Sequence, residues 1–476
     1  MIRSSYITLS YPFYQEIAPS AVSNPSLVKF NHELAAYLNI EQNVSLFAGN
    51  EVPAHLNSIA LAYAGDQFGH YVPLLGDGRA VLLGEVLSQD NKRWDIQLKG
   101  SGRTMFSRTG DGRAPLSAAL REYIMSEAMH GLGIPTTRSL AVTTSDELIY
   151  RQSGPVPQGV LTRVARGYLR VGSFQYAANL NDTQLLKQLA DYALERHFPQ
   201  GLEHDSPYLA LFNNVIDSQA HLIADWMGVG FIHGVMNTDN MAISGETIDY
   251  GPCAFMDEFD ENTVFSSIDR AGRYAYNNQV HSAHWNLARF GAALSPLFTD
   301  TASLQESLNT FPERFKHYWT IKINSKLGFF AQNSATSQLI ERFMLLLQQY
   351  QPDFTQTFRH LCYATDSVDH QDSLLKILGN QAEGKQWITD WLTYITDQDI
   401  DIAAIKASME QVNPAYIPRN HLVEKAIKLC IENKDHTLME SLLKVCSRPY
   451  EQQKDTEDLQ RLPQPHERVL QTFCGT

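Results

Sequence analysis

The sequence predicts an α+β chain arranged as two lobes, and three observations predict it. Its 476 residues exceed one ordinary domain and suffice for two lobes with additions. Between Tyr71 and about Tyr150, short apolar or alternating runs punctuated by glycine read as strands around a single helix. Beyond about residue 156 the apolar spacing turns helical. The expected organisation is an N-terminal extension over 1–60, a small lobe over 61–155, a helical large lobe over 156–345 and a helical C-terminal region over 346–476.

In the extension, KFNHELAAYLNI reads as one short helix. AVLLGEVLS and RWDIQLKG read as strands, and APLSAALREYIMSEAMHGLG as a helix with Pro115 in its first turn and Gly131 just past its end. IPTTRSLAVTT and ELIYRQ are two further strands. DTQLLKQLADYALERHF, YLALFNNVIDSQAHLIADWMGVG and TSQLIERFMLLLQQY are helical, and HGVMNTDNMAISGETIDYG, from His233 to Gly251, interrupts them as loop and hairpin. NPAYIPRNHLVEKAIKLCIEN and MESLLKVCSRPYEQ close the chain in helix, with Lys425 and Lys428 on a solvated face. No internal repeat or low-complexity tract is present.

Composition excludes several classes. Lys plus Arg total 38 against 52 acids, a net charge of −14, which argues against nucleic acid as a partner because that needs a basic face. The five cysteines Cys253, Cys362, Cys430, Cys446 and Cys474 include no Cys-x-x-Cys pair, the usage of a reduced compartment. MIRSSYITLSYPFYQEI lacks an apolar signal-peptide core, and no run reaches the roughly 18 apolar residues of a membrane helix. The expectation is a cytoplasmic protein with no membrane partner.

The residues that carry chemistry begin at LLGDGRAVLLGEV. Gly76-Asp77-Gly78-Arg79 would form a turn whose small residues let backbone N–H groups approach a phosphate, with Arg79 adding charge; a plain β-hairpin turn is the competing reading. In RWDIQLKG the period of two puts Trp94, Ile96 and Leu98 on one face and Asp95, Gln97 and Lys99 on the other. Lys99 suits phosphate binding as a point charge and needs a carboxylate to hold it; Glu122 on the following helix is the partner, with Glu127 the competitor. The loop GSGRTMFSRTGDGRAP carries Arg103, Arg108 and Arg113 and can fold over phosphates, with Asp111-Gly112 turning its backbone toward them; a solvated loop competes. Arg163 and Arg170 suit bidentate phosphate contacts across the cleft, whereas Arg166 reads as a surface residue.

The segment from His233 to Gly251 resembles a kinase catalytic loop, which reads His-x-Asp, four residues, Asn, and then a metal-binding Asp-x-Gly. It implies a two-lobed protein-kinase-like fold with an N-terminal extension and helical C-terminal additions. Asn240 and Asp249 flank a hairpin turn at SGET and can meet one Mg²⁺ or Mn²⁺. The expected catalytic Asp is replaced by Val235, which leaves Asp239 as the nearest acid able to act as general base, and His233 as a brace of the loop.

Taken together, these residues resemble the selenoprotein O family of kinase-like protein adenylyltransferases. The resemblance rests on YAGDQFGHYVPLLGDGRAVLLGE, IQLKGSGRTMFSR, GDGRAPL, ALREYIMSEAMHGLGIPTTRSL, GVLTRVARGYLRVGSFQ, FIHGVMNTDNMAISGETIDYGPCAFMDEF and NPAYIPRNHLVEKAI, and so covers nearly the whole chain. It implies that ATP binds flipped, so that AMP passes to Ser, Thr or Tyr of protein substrates and pyrophosphate leaves; UTP with Mn²⁺ is an alternative donor. By motif, Gly76, Gly78 and Arg79 would meet the nucleotide, and Lys99, paired with Glu122, its phosphates. Asp111 and Gly112 would lie in the covering loop, Arg163 and Arg170 would contact phosphate, Asp239 would accept the proton, and Asn240 and Asp249 would hold the metal. Some relatives carry selenocysteine where this chain has Cys474, which suggests a redox-sensitive disulfide with Cys253.

The competing readings are a small-molecule or protein phosphotransferase of the same fold, a non-catalytic nucleotide-binding scaffold, and a structural protein. Val235 argues against the first, and intact Lys99, Asn240 and Asp249 argue against the last.

Overall fold

The computed structural model describes residues 1–9, 11–152 and 154–473. Its strands are β1 (Tyr14–Glu16), β2 (Ser26–Phe30), β3 (Ile59–Leu61), β4 (Gly65–Gln67), β5 (His70–Val72), β6 (Ala80–Leu87), β7 (Arg93–Lys99), β8 (Ala114–Pro115), β9 (Arg138–Arg151) and β10 (Gly154–Ala165), followed by the short pair β11 (Phe231–Ile232) and β12 (Ala254–Phe255). An eight-stranded antiparallel sheet runs β1-β3-β6-β7-β10-β9-β2, with β8 paired to β10. The chain is therefore mixed α and β, with its sheet in the first 165 residues and helices dominating afterwards.

The period of two in β7 decides what covers each face. Ile96 and Leu98 pack with Val81 and Leu83 against Leu34 and Leu38 of helix His32–Leu38. The extension is thus part of the sheet's core, and β1 and β2 form its two edges. The opposite face carries helix Leu116–Gly131, whose Leu116, Leu120 and Ile124 pack on Val142 and Leu161. Lys99 and Glu122 meet on that side.

Several local expectations differ from the structure. The two strands read in IPTTRSLAVTT and ELIYRQ form one continuous β9, because β10 pairs along it from Arg138 to Arg151 and absorbs irregularities as register shifts. Gly131 is the last helical residue, not the one beyond: a side chain there would overlap the Cys446 carbonyl of helix Thr437–Ser447. The Gly76–Arg79 turn is not a hairpin tip, since β5 pairs with β4 while β6 pairs with β3 and β7. The SGET turn exists at Ser244-Gly245, but its arms pair outward, Ala242 with Arg170 and Thr247 with Thr136.

The long helix Pro207–Val229 organises the second half of the core, where Leu211, Phe212, Ile216 and Ile223 pack with Phe290 of helix Gln279–Leu294. Helices Ser334–Tyr350, Phe354–Ala364 and Ala382–Thr396 enclose a separate core in which Phe343 stacks on Trp387 at 4.6 Å. The last two helices, Asn420–Asn433 and Thr437–Ser447, then return to the sheet side, placing Leu422, Val423 and Leu442 on Leu120 and Tyr123. Arg419 fixes this return by reaching Asp257 at 2.9 Å and Asp353 at 2.6 Å. No helix among the described residues is long and apolar enough to cross a membrane.

Candidate active site

The loop before β6 is shaped by glycine. Gly76 has φ +65°, and a side chain there would overlap the Phe106 ring. Between the glycines, Asp77 turns inward, accepting from Leu61 N–H at 3.2 Å and from Gln97 Nε2 at 2.9 Å, with Arg170 3.8 Å away. Burial pushes its carboxyl above the ordinary range, against the pull of Arg170 and Arg163. Its geometry is that of a brace between the glycine loop and β7.

Beneath the loop lies a buried charge cluster. Lys99 Nζ is 2.6 Å from Glu122 Oε2 and 2.7 Å from Asp249 Oδ1. Glu127, the competing partner, instead binds Arg138 at 2.7 Å. Arg163 donates to Asp249 Oδ1 at 2.7 Å, to Glu122 Oε1 at 3.3 Å and to Gln97 Oε1. Arg170 donates to Asp249 Oδ2 at 2.7 Å and to the Asp239 carbonyl at 2.6 Å, and its guanidinium lies 4.6 Å from the centre of the Tyr63 ring. Burial alone would raise the Asp249 carboxyl, but Lys99, Arg163 and Arg170 overcome it and hold it well below the usual carboxylate range. Asp249 also has φ +63°, a left-handed conformation that costs a non-glycine residue energy and is retained where the surroundings enforce it.

The segment from His233 is equally constrained. His233 is buried, bonds the Ile248 carbonyl at 2.8 Å and stacks on Trp226 at 5.3 Å; burial lowers its pKa, so it is a neutral brace. Asn240 donates its amide N–H to the Val235 carbonyl at 2.9 Å, which leaves its amide oxygen for another ligand. Asp239 is 8% exposed and its Oδ1 has no hydrogen-bond partner. Burial pushes its carboxyl up to about 6, with Arg170 opposing. Such a group sits in the range where a carboxylate can both accept and release a proton near neutral pH.

The arginine-bearing loop is closed at its base. Gly102 N–H bonds the Gly112 carbonyl at 3.0 Å, and Gly112, at φ +69°, has no room for a side chain against Gly102. Asp111 accepts from Arg113 N–H at 2.9 Å and from Arg151 at 2.8 Å. Arg113 is turned to the Ser20 and Ala21 carbonyls, and Arg103 and Arg108 are exposed.

A cleft of about 690 Å³ gathers these parts. Gly76, Gly78, Arg79, Lys99, Asp111, Gly112, Arg163, Arg170, Val235, Asp239, Asn240 and Asp249 all line it, and Glu122 stands behind Lys99 without lining it. Arg166 is exposed and lies outside. The sequence reading passed over Tyr63, Asp77, Gln97 and Arg151 as site residues. Gln97 carried a signal, since it shares the Lys99 face of β7, and Asp77 lay between the two glycines of the turn; Tyr63 and Arg151 are placed by contacts between distant segments. Cys253, Cys362, Cys430 and Cys446 are buried and form no disulfide among the described residues, and Cys474 lies outside them.

The donors fit a hard divalent cation. Among the described residues no cluster of three His, Cys, Asp or Glu side chains is arranged to hold a metal by itself. Asn240 and Asp249 provide an amide oxygen and a carboxylate on the cleft, and Asp239 lines the same cleft although its unpartnered Oδ1 is buried against Gly65. A site with few protein ligands that relies on phosphate oxygens for the rest is the usual habit of Mg²⁺.

An α+β chain that collects a glycine loop, a lysine, two buried arginines and two acids around one cleft belongs to the class built to handle phosphate esters. The comparisons specify it further. The profile described as "Protein adenylyltransferase SelO" matches residues 2–447. A protein nucleotidyltransferase YdiU of Rhizobium rhizogenes is 47% identical over 484 residues, covering 99% of this chain and 96% of that protein. Proteins of the same name from Bacillus cereus and Rhodopseudomonas palustris are each 46% identical, covering 100% and 99% of this chain and 98% of theirs. This chain belongs to the protein adenylyltransferase SelO family.

Proposed function

We propose that this protein transfers AMP from ATP to Ser, Thr or Tyr hydroxyls of protein substrates and releases pyrophosphate. The observation that carries the reading is the pairing of Val235, where a kinase has its catalytic Asp, with a buried Asp239 whose Oδ1 lacks a partner. A base displaced along the loop suits a nucleotide that presents its α-phosphate, not its γ-phosphate, to the acceptor.

The architecture behind the reading is two-lobed and kinase-like, with a small lobe whose sheet runs to Ala165 and takes in β1, β2 and helix His32–Leu38 of the N-terminal segment, a helical large lobe after it, and a helical addition over 346–476. The sheet, the Lys99–Glu122 pair and the Asn240 and Asp249 spacing support it.

In the reaction the hydroxyl oxygen bonds to the α-phosphorus, the bond to the β-phosphate oxygen breaks, and the hydroxyl proton goes to Asp239. Gly76 and Gly78 let the backbone approach the nucleotide beside Arg79, and Asp111 and Gly112 hold the covering loop in place. Lys99, Arg163 and Arg170 each keep a fixed position through Asp249 and meet the phosphates, with Glu122 orienting Lys99. Fixed cations of this kind lower the barrier because they need no reorganisation as charge moves. A Mg²⁺ or Mn²⁺ held by Asn240 and Asp249 would neutralise phosphate charge. UTP is an alternative donor, since nothing among the cleft residues named selects a base.

The test is a paired label-transfer assay with ATP labelled at the α- or the γ-phosphate, using Asp249→Ala as control. Protein labelled from the α-position alone, and lost in the variant, supports the reading. Labelling from the γ-position would make the protein a kinase, and no transfer from either would favour a nucleotide-binding scaffold.

A further inference from the structure

Beside the catalytic loop, outside the cleft, lies a set of arginines that the reaction does not use. Arg273 sits 4.7 Å from the centre of the Trp285 ring, and Arg289 sits 5.0 Å from the same ring. The cluster is tied to the loop of Asp239: the Tyr274 hydroxyl donates to Asn237 Oδ1 at 2.7 Å, and Phe68 N–H donates to the same oxygen at 3.0 Å. Phe68 and Gly69 form the tip of the β4–β5 hairpin, where Phe68 packs on Tyr274 at 5.2 Å and the Arg273 guanidinium lies under Gly69. From Arg289 the surface continues into a groove of about 330 Å³ that Asp66 and Tyr71 also line.

The charge here is unbalanced in a chain whose net charge is −14. Arg289 pairs with Asp66 at 3.3 Å, but Asp66 is fully buried and also accepts from Gln175. Asp269, the acid nearest Arg273 in sequence, gives both oxygens to the backbone N–H groups of Arg273 and Tyr274. Among the described residues neither Arg273 nor the exposed Arg270 forms an ion pair, and Arg273 Nε is buried without a hydrogen-bond partner. A guanidinium held through its face by an aromatic ring keeps its N–H edge for a carboxylate.

We propose that Arg273, Trp285 and Arg289 form the subsite that receives an acidic stretch of the protein substrate, next to the hydroxyl that takes the AMP. This rests on the protein transferase reading and names its substrate class: hydroxyl side chains flanked by Asp or Glu. Through Tyr274 and Asn237 the subsite adjoins the loop that carries Asp239, which itself lines the nucleotide cleft.

The test uses the full-length protein, α-labelled ATP with Mg²⁺, and three peptides carrying one tyrosine flanked by glutamates, by lysines or by glycines. The glutamate peptide is expected to show a KM roughly tenfold below that of the glycine peptide, the size of a charge-assisted hydrogen bond or two. Arg273→Glu is expected to abolish or invert that preference while kcat on the glycine peptide holds. Arg273→Gln and Arg289→Gln, which add no new charge, are expected to weaken it. Equal KM values for the three peptides, or an unchanged preference in Arg273→Glu, overturn the proposal. Binding of fluorescent versions of the peptides, read by anisotropy, needs no transfer. Acidic-peptide binding that depends on Arg273 without any labelling would fault the reaction and uphold the subsite, and equal binding of all three would overturn the subsite alone.

Discussion

Lys99 Nζ and Asp249 Oδ1 lie 2.7 Å apart although 150 positions of chain separate them, and this contact joins the sheet to the loop that follows His233. Lys99→Met is therefore expected to abolish AMP transfer, by about a hundredfold or more, because it removes a charge fixed at the phosphates. Arg163 and Arg170 still hold Asp249, so the destabilisation is expected to stay near about 3 kcal/mol, the lower end for a broken buried pair. Label transfer and denaturant melts of the same preparation check both halves.

Asp239 gives a pH signature. Acting as the base, it must be ionised, so the transfer rate is expected to rise with pH and level off above about 6. Asp239→Asn is expected to be nearly inactive with no such rise; a wild-type rise that persists in this variant would assign the titration elsewhere.

The same residue links function to stability. Its folded pKa, about 6, lies above the ordinary 3.8, so its contribution is fully present below pH 3.8 and is lost as pH rises through 6. At pH 8 the carboxylate is charged in both states and the folded state bears its burial. Asp239→Asn is then expected to stabilise the protein by about 1–3 kcal/mol at pH 8, a gain that vanishes near pH 4. Thermal melts at the two pH values decide it.

Gly76→Ala places a side chain into the Phe106 ring at a left-handed φ of +65°. The loop must shift, and nucleotide affinity is expected to fall at least about tenfold while the melt changes by only about 1–2 kcal/mol. Titration with a fluorescent ATP analogue provides the measurement.

Arg419 separates structure from chemistry. It is buried and holds both Asp257 and Asp353, so Arg419→Met is expected to cost about 3–5 kcal/mol by leaving two acids without their cation. Nucleotide affinity of the folded fraction at low temperature is expected to hold, because none of the three residues lines the cleft.

What the sequence determined by itself is local. The period of two in RWDIQLKG put Gln97 and Lys99 on one face of β7, and helical spacing located Leu116–Gly131 and Pro207–Val229 closely, because burial of one face imposes its period on neighbouring residues. The motif from His233 to Gly251 singled out Asp239, Asn240 and Asp249, which the fold brings to one cleft. Tertiary structure decided the partners. Glu122 and Glu127 lie on one helix, yet only Glu122 reaches Lys99, because Arg138 from β9 takes Glu127. The glycine loop stands between two sheets, since strand pairing is chosen by distant segments. Asp249 acquires three cations from β7, β10 and the turn after it, and no periodicity encodes that meeting. An ion pair's strength depends on separation and burial in space, quantities that chain order leaves undetermined until the fold closes.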